Sequence, residues 1–385
     1  MKIKRSFSEE RRELIPVNEP SLSEREKELL IQCVDSGWIS SEGPFVRLFE
    51  EVFAGFVGVN YGVAVSNGTV ALEMAIAALE LEPGDEVIMP TFTIVSCAIA
   101  VIRNGLRPVL VDSEIETWNM NVNQVAEKIS PRTKAIMPVH IYGHPVDMDP
   151  LLELAEQYGL YIIEDAAEVH GAEYKERKCG SIGHMGVFSF YANKIVTTGE
   201  GGMIVTNDRH LAARFRLLRN LCFQPERRFE HQELGYNFRM TNLQAAVGVA
   251  QMERADELVR RKIWQGGEYR KKLKRIDGVK LQGVKPWARP VYWVNGIVLD
   301  SDVPMDAFEF ANRLSKKGIQ TRPFFWPMHE QPIFQKSGLF RNERYPVSEK
   351  LARRGLYLPS GMALTAAQID KVCEAVKETL AEVGR

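Results

Sequence analysis

The sequence predicts an α/β protein, with a large, mainly parallel sheet domain followed by a smaller C-terminal α+β domain. Three observations point there. From Tyr61 onward, short β-rich runs alternate with helical ones. Runs such as Pro108-Val109-Leu110-Val111 and Tyr161-Ile162-Ile163 lack polar alternation, as strands do when helices cover both faces of their sheet. A chain of 385 residues also exceeds what one small core needs, so two domains are expected.

Residues 1–20 are polar and proline-punctuated and read as an N-terminal arm that packs on a larger body or a partner. Helical patterns at 23–34 and 45–56 flank a glycine-containing loop at 35–44. Strands are expected at 62–66, 86–89, 107–111, 134–139, 160–163, 186–190 and 202–205, with helices at 69–79, 93–104, 123–129 and 149–158. Ligand-binding loops then belong at the carboxyl ends of those strands. Residues 239–264, rich in Ala, Gln, Glu and Arg, read as one long connecting helix. A β-rich patch at 292–299, a helix at 305–317, a loop at 321–334 and an amphipathic tail at 368–383 follow. The large domain is thus assigned to 21–245, and the connecting helix with the small domain to 246–385.

Composition excludes several classes of function. Charged residues make up 26% and hydrophobic ones 45%, as in ordinary globular proteins. With 49 basic against 50 acidic residues, no global field draws nucleic acid or anionic lipid, and neither is expected as a partner. The five cysteines, Cys33, Cys97, Cys179, Cys222 and Cys373, show no metal-ligand spacing, so no metal is expected and the thiols read as reduced and cytoplasmic. The basic start Met1-Lys2-Ile3-Lys4-Arg5 has no apolar segment behind it, and the apolar run 94–102 is too short to span a bilayer.

Three short stretches carry candidate chemistry. Ser66-Asn67-Gly68-Thr69 lies between a strand and a helix, where small residues and free N–H groups suit a phosphate; a simple helix cap has the same composition. Asp165 follows the apolar run 160–163, where a carboxylate is costly unless paired, although it too suits a helix cap. Lys194 ends Ser189-Phe190-Tyr191-Ala192-Asn193 and precedes Gly199-Glu200-Gly201-Gly202; a lysine there faces either solvent or a site. An amine and a carboxylate at two strand ends can hold a pyridoxal cofactor between them, the lysine as a Schiff base and the carboxylate on the ring nitrogen.

These stretches occur in one order with Pro90-Thr91-Phe92-Thr93, Glu164-Asp165-Ala166-Ala167 and Gly235-Tyr236-Asn237-Phe238-Arg239-Met240. Together they resemble the DegT/DnrJ/EryC1/StrS family of pyridoxal-phosphate-dependent sugar aminotransferases over nearly the whole chain. The resemblance implies the fold type I, aspartate aminotransferase-like architecture and a homodimer with shared active sites. It implies that Lys194 binds pyridoxal 5'-phosphate covalently and shuttles the proton, and that Asp165 keeps the ring nitrogen protonated. Phe92 would stack on the ring. Gly68, Thr69 and Ser189 would grip the phosphate with Asn237 of the partner subunit. Glu168 stands where the family commonly has glutamine, so its neighbourhood must supply a proton or a hydrogen bond.

A finer likeness lies in Val139-His140-Ile141-Tyr142-Gly143-His144-Pro145-Val146-Asp147-Met148-Asp149 and Thr321-Arg322-Pro323-Phe324-Phe325-Trp326-Pro327-Met328-His329, and Glu164 through Gly171 fits it too. It is to a branch that moves the amino group of L-glutamate to C4 of GDP-4-keto-6-deoxy-D-mannose, a GDP-linked 4-ketosugar, giving GDP-perosamine and 2-oxoglutarate. Arg322, Trp326 and His329 are then the candidate sugar-nucleotide contacts. The alternatives are an aminotransferase for a UDP- or dTDP-linked 3- or 4-ketosugar and a non-catalytic pyridoxal-phosphate sensor.

Overall fold

The computed structural model describes residues 14–224 and 226–382. Nine strands come first along the chain: β1 Tyr61–Val65, β2 Glu86–Pro90, β3 Arg107–Val111, β4 Thr133–Ile136, β5 Tyr161–Asp165, β6 Glu173–Tyr174, β7 Arg177–Lys178, β8 Met185–Ser189 and β9 Gly202–Thr206. Seven of them form one sheet in the order β1-β9-β8-β5-β4-β2-β3. The pairs among β2, β3, β4, β5 and β8 are parallel; β9 is antiparallel to both β8 and β1 and alone opposes the rest. The expected mainly parallel sheet is therefore present, and its carboxyl ends bring Asn67, Thr91, Asp165 and Ser189 to one edge.

The strands are apolar on both faces because helices cover both. Phe49 and Phe53, from the helix Pro44–Val57, pack with Phe188 and Phe190 into a ring cluster, with centroid separations of 4.9 Å from Phe49 to Phe190 and from Phe53 to Phe188 and Phe190. Fully burying one such side chain contributes about 1.5–3 kcal/mol, so this cluster gives the strand that leads to Lys194 a rigid base.

Five further strands are β10 Val279–Leu281, β11 Ala288–Arg289, β12 Asn295–Leu299, β13 Arg322–Pro323 and β14 Gly355–Leu358. A second, antiparallel sheet runs β10-β12-β14-β13, covered by the helices Ala307–Lys316 and Ala366–Ala381. β11 joins the β6-β7 hairpin beside the large sheet. Of the expected arm, residues 1–13 lie outside the described residues. Residues 14–20 pack on the C-terminal unit: Ile15 bridges Ile319, Ser360 N–H donates to Val17 O and Met362 N–H donates to Glu19 O, each of the last two at 2.8 Å.

Several expectations need correction. The long helix 239–264 is two helices, Asn242–Met252 and Ala255–Leu273, broken at Glu253-Arg254. The first opens on a Thr241–Gln244 capping box and packs on Glu24–Ser36 and Pro44–Val57; the second turns away along Ala366–Ala381. The loop 321–334 contains β13, a single 3-10 turn at Met328–Glu330 and the start of a short helix, Pro332–Lys336. The helix Arg209–Arg219 was not expected, although Asp208 caps it by accepting from His210 and Leu211 N–H. Its four arginines mask the apolar stripe of Ala212, Phe215 and Leu218. Among the described residues, no helix is long and apolar enough to cross a membrane.

Candidate active site

The site is assembled where the strands end. After β1 the chain enters the helix Gly68–Ala77, with the Asn67 side chain accepting from Val70 N–H at 3.0 Å. Gly68 and Thr69 N–H, in the first turn, have no protein acceptor among the described residues. The Thr69 hydroxyl lies 2.8 Å from that of Ser96. Residue 68 must be glycine, because a Cβ there would stand 2.8 Å from Cβ of Ser189 at the end of β8.

β5 ends in two carboxylates, and strand alternation sends them to opposite faces. Glu164 turns into the body and is fully satisfied. It accepts from Gly180 N–H at 2.7 Å, from Ile182 and Gly183 N–H at 2.6 Å, and from His140 Nε2 at 3.0 Å. Val146 N–H donates to His140 Nδ1, which leaves the ring proton on Nε2. Asp165 turns toward the site. Its Oδ2 accepts from the Cys97 thiol and its Oδ1 from Ala167 N–H, both at 3.1 Å. It is 2% exposed, and no basic side chain among the described residues makes an ion pair with it. A buried carboxylate without a cation is costly unless a ligand supplies one.

Lys194 sits on the loop after β8, pinned by Lys194 N–H to Tyr191 O at 2.8 Å and Thr198 N–H to Phe190 O at 2.9 Å. Its side chain is 10% exposed, with Nζ 3.8 Å from Glu168 Oε1 and 3.6 Å from the centre of the Trp293 ring. Burial lowers the lysine pKa, while the Glu168 and Asp165 carboxylates oppose that fall. Glu168 is pushed up to about 7, chiefly by burial, with Lys194 and the Tyr142 N–H pulling the other way. That N–H donates to Glu168 Oε2 at 2.7 Å from a residue held at φ +57°, in the left-handed region. A carboxyl that burial shifts upward beside an amine that burial shifts downward is the electrostatic pattern of a proton-transfer site.

A cavity of ≈ 670 Å³ opens over these groups. Of the expected site residues, Gly68, Thr69, Asp165, Glu168, Ser189 and Lys194 are on its wall. Asn237 is not: it is exposed and bridges Asn220 on a neighbouring loop. Arg322 and Trp326 also lie off the wall and are exposed, Trp326 beneath the Arg353 guanidinium at 5.1 Å. Arg322 is nevertheless paired in register with Tyr357, which does line the cavity.

Two further expected residues lie off this wall. Phe92 does not face the cavity: it is 1% exposed, within an aromatic cluster of Tyr142, Phe324 and Phe325, and Phe325 is the wall residue. His329 is off the wall as well. It is 2% exposed, with Nδ1 2.8 Å from Thr91 Oγ1 and Nε2 3.3 Å from Glu349. Ligand atoms of His329, Glu330 and Glu349 lie within 4.8 Å of one another. Arg344 engages Glu349 at 2.8 Å and Arg353 engages Glu330 at 2.7 Å, so arginines occupy both carboxylates and the knot ties the C-terminal unit to the end of β2. His170 is buried against Phe53, Phe188 and Phe190; burial pushes it down to about 3, and it is a neutral core residue.

Sequence reasoning missed Asn193, Trp293 and Tyr357 on the wall. Trp293 and Tyr357 lie in or beside β12 and β14, where an aromatic residue reads as core. The wall fits pyridoxal phosphate on three counts: free N–H groups and hydroxyls at a helix N-terminus for the phosphate, a buried carboxylate lacking a cation, and a buried amine. A fourth is the Asn193 Oδ1 atom, buried with no partner among the described residues.

Comparison with known proteins agrees. The model of the DegT/DnrJ/EryC1/StrS aminotransferase family matches residues 20–377. A GDP-perosamine synthase of Escherichia coli O157:H7 is 41% identical over 364 residues, spanning 94% of this chain and 98% of that one. A GDP-perosamine synthase of Caulobacter vibrioides is 42% identical over 367 residues, spanning 95% and 98%. The crystal structure of the aminotransferase TlmJ from Streptoalloteichus hindustanus superposes with a TM-score of 0.90 at 32% identity, covering 97% of this chain and 100% of that one. The fold is that of the fold type I, pyridoxal-phosphate-dependent aminotransferases, and the chain belongs to the DegT/DnrJ/EryC1/StrS aminotransferase family as an enzyme that uses pyridoxal phosphate.

Proposed function

We propose that this enzyme transfers the amino group of L-glutamate to C4 of GDP-4-keto-6-deoxy-D-mannose, giving GDP-perosamine and 2-oxoglutarate. The observation that carries the chemistry is the buried Lys194 amine facing Glu168, with Asp165 on the same wall. The acceptor is supported by near-full-length likeness to two GDP-perosamine synthases.

When bound, pyridoxal phosphate supplies an aldehyde for the amino group and an electron-withdrawing ring that acidifies the adjacent carbon. Gly68 and Thr69 N–H and the Ser189 hydroxyl would hold its phosphate, joined by Asn237 of the partner subunit in a homodimer. Asp165, which accepts from the Cys97 thiol and Ala167 N–H, would pair with the ring nitrogen. Lys194 Nζ, once free, takes the proton from the donor's α-carbon and returns it on the other side of the transfer. Trp293, Phe325 and Tyr357 would form an apolar part of the wall around the bound cofactor and substrate. Arg322, paired in register with the wall residue Tyr357, would meet an anionic group of the substrate, and Trp326 would contact the sugar nucleotide. The five cysteines, all buried and unpaired, suit a reducing cytoplasm.

The test pairs the purified protein and glutamate with GDP-, UDP- and dTDP-linked 3- and 4-ketosugars and locates the new amine by mass spectrometry and NMR. Preference for the GDP-linked 4-ketosugar is expected. Faster turnover of a UDP- or dTDP-linked sugar would replace the substrate but leave the chemistry, and no amine with any acceptor would support the sensor. Glu168→Gln is expected to move the acid limb of the pH–rate profile to lower pH by about one unit. The sign follows from charge: Glu168 raises the Lys194 pKa, so its loss frees the amine at lower pH.

A further inference from the structure

The Lys194 amine has a neighbour that the chemistry above uses only as a wall. Its Nζ lies 3.6 Å from the centre of the Trp293 ring, close to the contact limit for a cation on an aromatic face. It makes no hydrogen bond to a protein group among the described residues, and the nearest carboxylate oxygen, on Glu168, is 3.8 Å away. The indole is fixed. Its Nε1–H donates to the carbonyl of Asn193, the residue before the lysine, at 2.8 Å, and the side chain is 5% exposed.

One turn sets both neighbours. Within Ile141–Gly143, Tyr142 N–H holds Glu168, and Gly143 lets the Trp293 backbone approach so closely that a Cβ would stand 2.6 Å from Trp293 N. The indole therefore reaches the lysine from the C-terminal unit in a register that the large domain dictates.

We propose that Trp293 is a positioning residue for Lys194: whenever the lysine amine is free, its ammonium rests on the indole face, with the Glu168 carboxyl as its second neighbour. The proposal rests on Lys194 being the reacting amine. An aromatic face attracts a cation without a directional acceptor, so it offsets burial of the charge while leaving the amine free to swing back to its partner. The other titratable groups around the amine are Asp165 and His170 on the β5 side and Tyr142 and Tyr357 on the side of the C-terminal unit. Asp165 and Glu168 favour the ammonium; His170 is neutral, and burial keeps both phenols protonated.

The experiment uses the full-length protein loaded with pyridoxamine phosphate, the form in which Lys194 is free. Brief acylation with acetic anhydride across a pH series, read by mass spectrometry of the Lys194 peptide, reports the fraction of neutral amine. Trp293→Leu should lower the midpoint by about one pH unit, and Trp293→Phe, which keeps a ring face, by less than half of that. An unchanged midpoint in the leucine variant, or equal falls in both variants, overturns the proposal. If the leucine variant does not fold, the wild-type Trp293 indole N–H resonance, assigned by its loss in Trp293→Phe, is followed instead. It should titrate with the midpoint of the acylation curve and stay flat in Lys194→Met; a resonance blind to Lys194 overturns the proposal equally. Failure of the catalytic assignment itself would show separately, as normal turnover by Lys194→Ala.

Discussion

Lys194→Ala is expected to lose complete transamination, with the steady-state rate falling by at least about four orders of magnitude, because both the covalent anchor and the proton carrier go with one amine. The same substitution should leave the fold intact. Lys194 contributes a buried amine with no hydrogen bond to a protein group among the described residues, and its ion pair with Glu168 is long at 3.8 Å. Removing it leaves the buried Glu168 carboxyl without its amine, a cost that protonation of Glu168, already favoured by burial, offsets, so the melting temperature should change little. Steady-state kinetics with glutamate and the ketosugar, beside a thermal melt, checks both. A normal rate would remove Lys194 from the reaction; a collapsed melt would mean that its role is structural. The absorbance band of the aldehyde cofactor, which glutamate should bleach in the wild type, should be unresponsive in the variant.

Asp165→Asn carries the second large effect. The amide is isosteric: its oxygen can still accept from Ala167 N–H while its NH2 donates to the Cys97 sulfur, so folding should survive. It can no longer stabilise a protonated ring nitrogen, and losing one such preorganised electrostatic partner costs roughly 10²–10³ in rate. Asp165→Ala should do worse, since the thiol and the N–H would then be buried unsatisfied at about 1–3 kcal/mol each. The comparison of interest is the melting temperature of the two variants at matched loss of activity. If asparagine retains the wild-type rate, the carboxylate does not face the cofactor ring.

Much of this was legible before the fold. Six expected site residues, from Gly68 to Lys194, share one cavity because each lies at or just after the carboxyl end of a strand of the large sheet, or on the loop leading from it. Phe92 and His329 lie off the cavity wall for a common reason. Each is a ring in an apolar stretch near the site, and sequence proximity does not say whether a ring faces a cavity or a neighbouring side chain. In the fold, Phe324 and Phe325 close over Phe92, and Thr91 with Glu349 engages both nitrogens of His329. Trp293 was invisible as a site residue because its contact with Lys194 spans 99 positions and depends on how the C-terminal unit docks.

By itself, the sequence determined the chemistry: an amine, a carboxylate and a phosphate-binding turn at strand ends, each decided by local residue identity and apolar patterning. Only the tertiary structure decided which neighbours tune that chemistry. The thiol on Asp165, the carboxyl and indole around Lys194 and the arginines on Glu349 and Glu330 come from distant segments. Their effects depend on distances of a few ångströms in a dry interior, where burial and charge act most strongly and sequence separation carries no information.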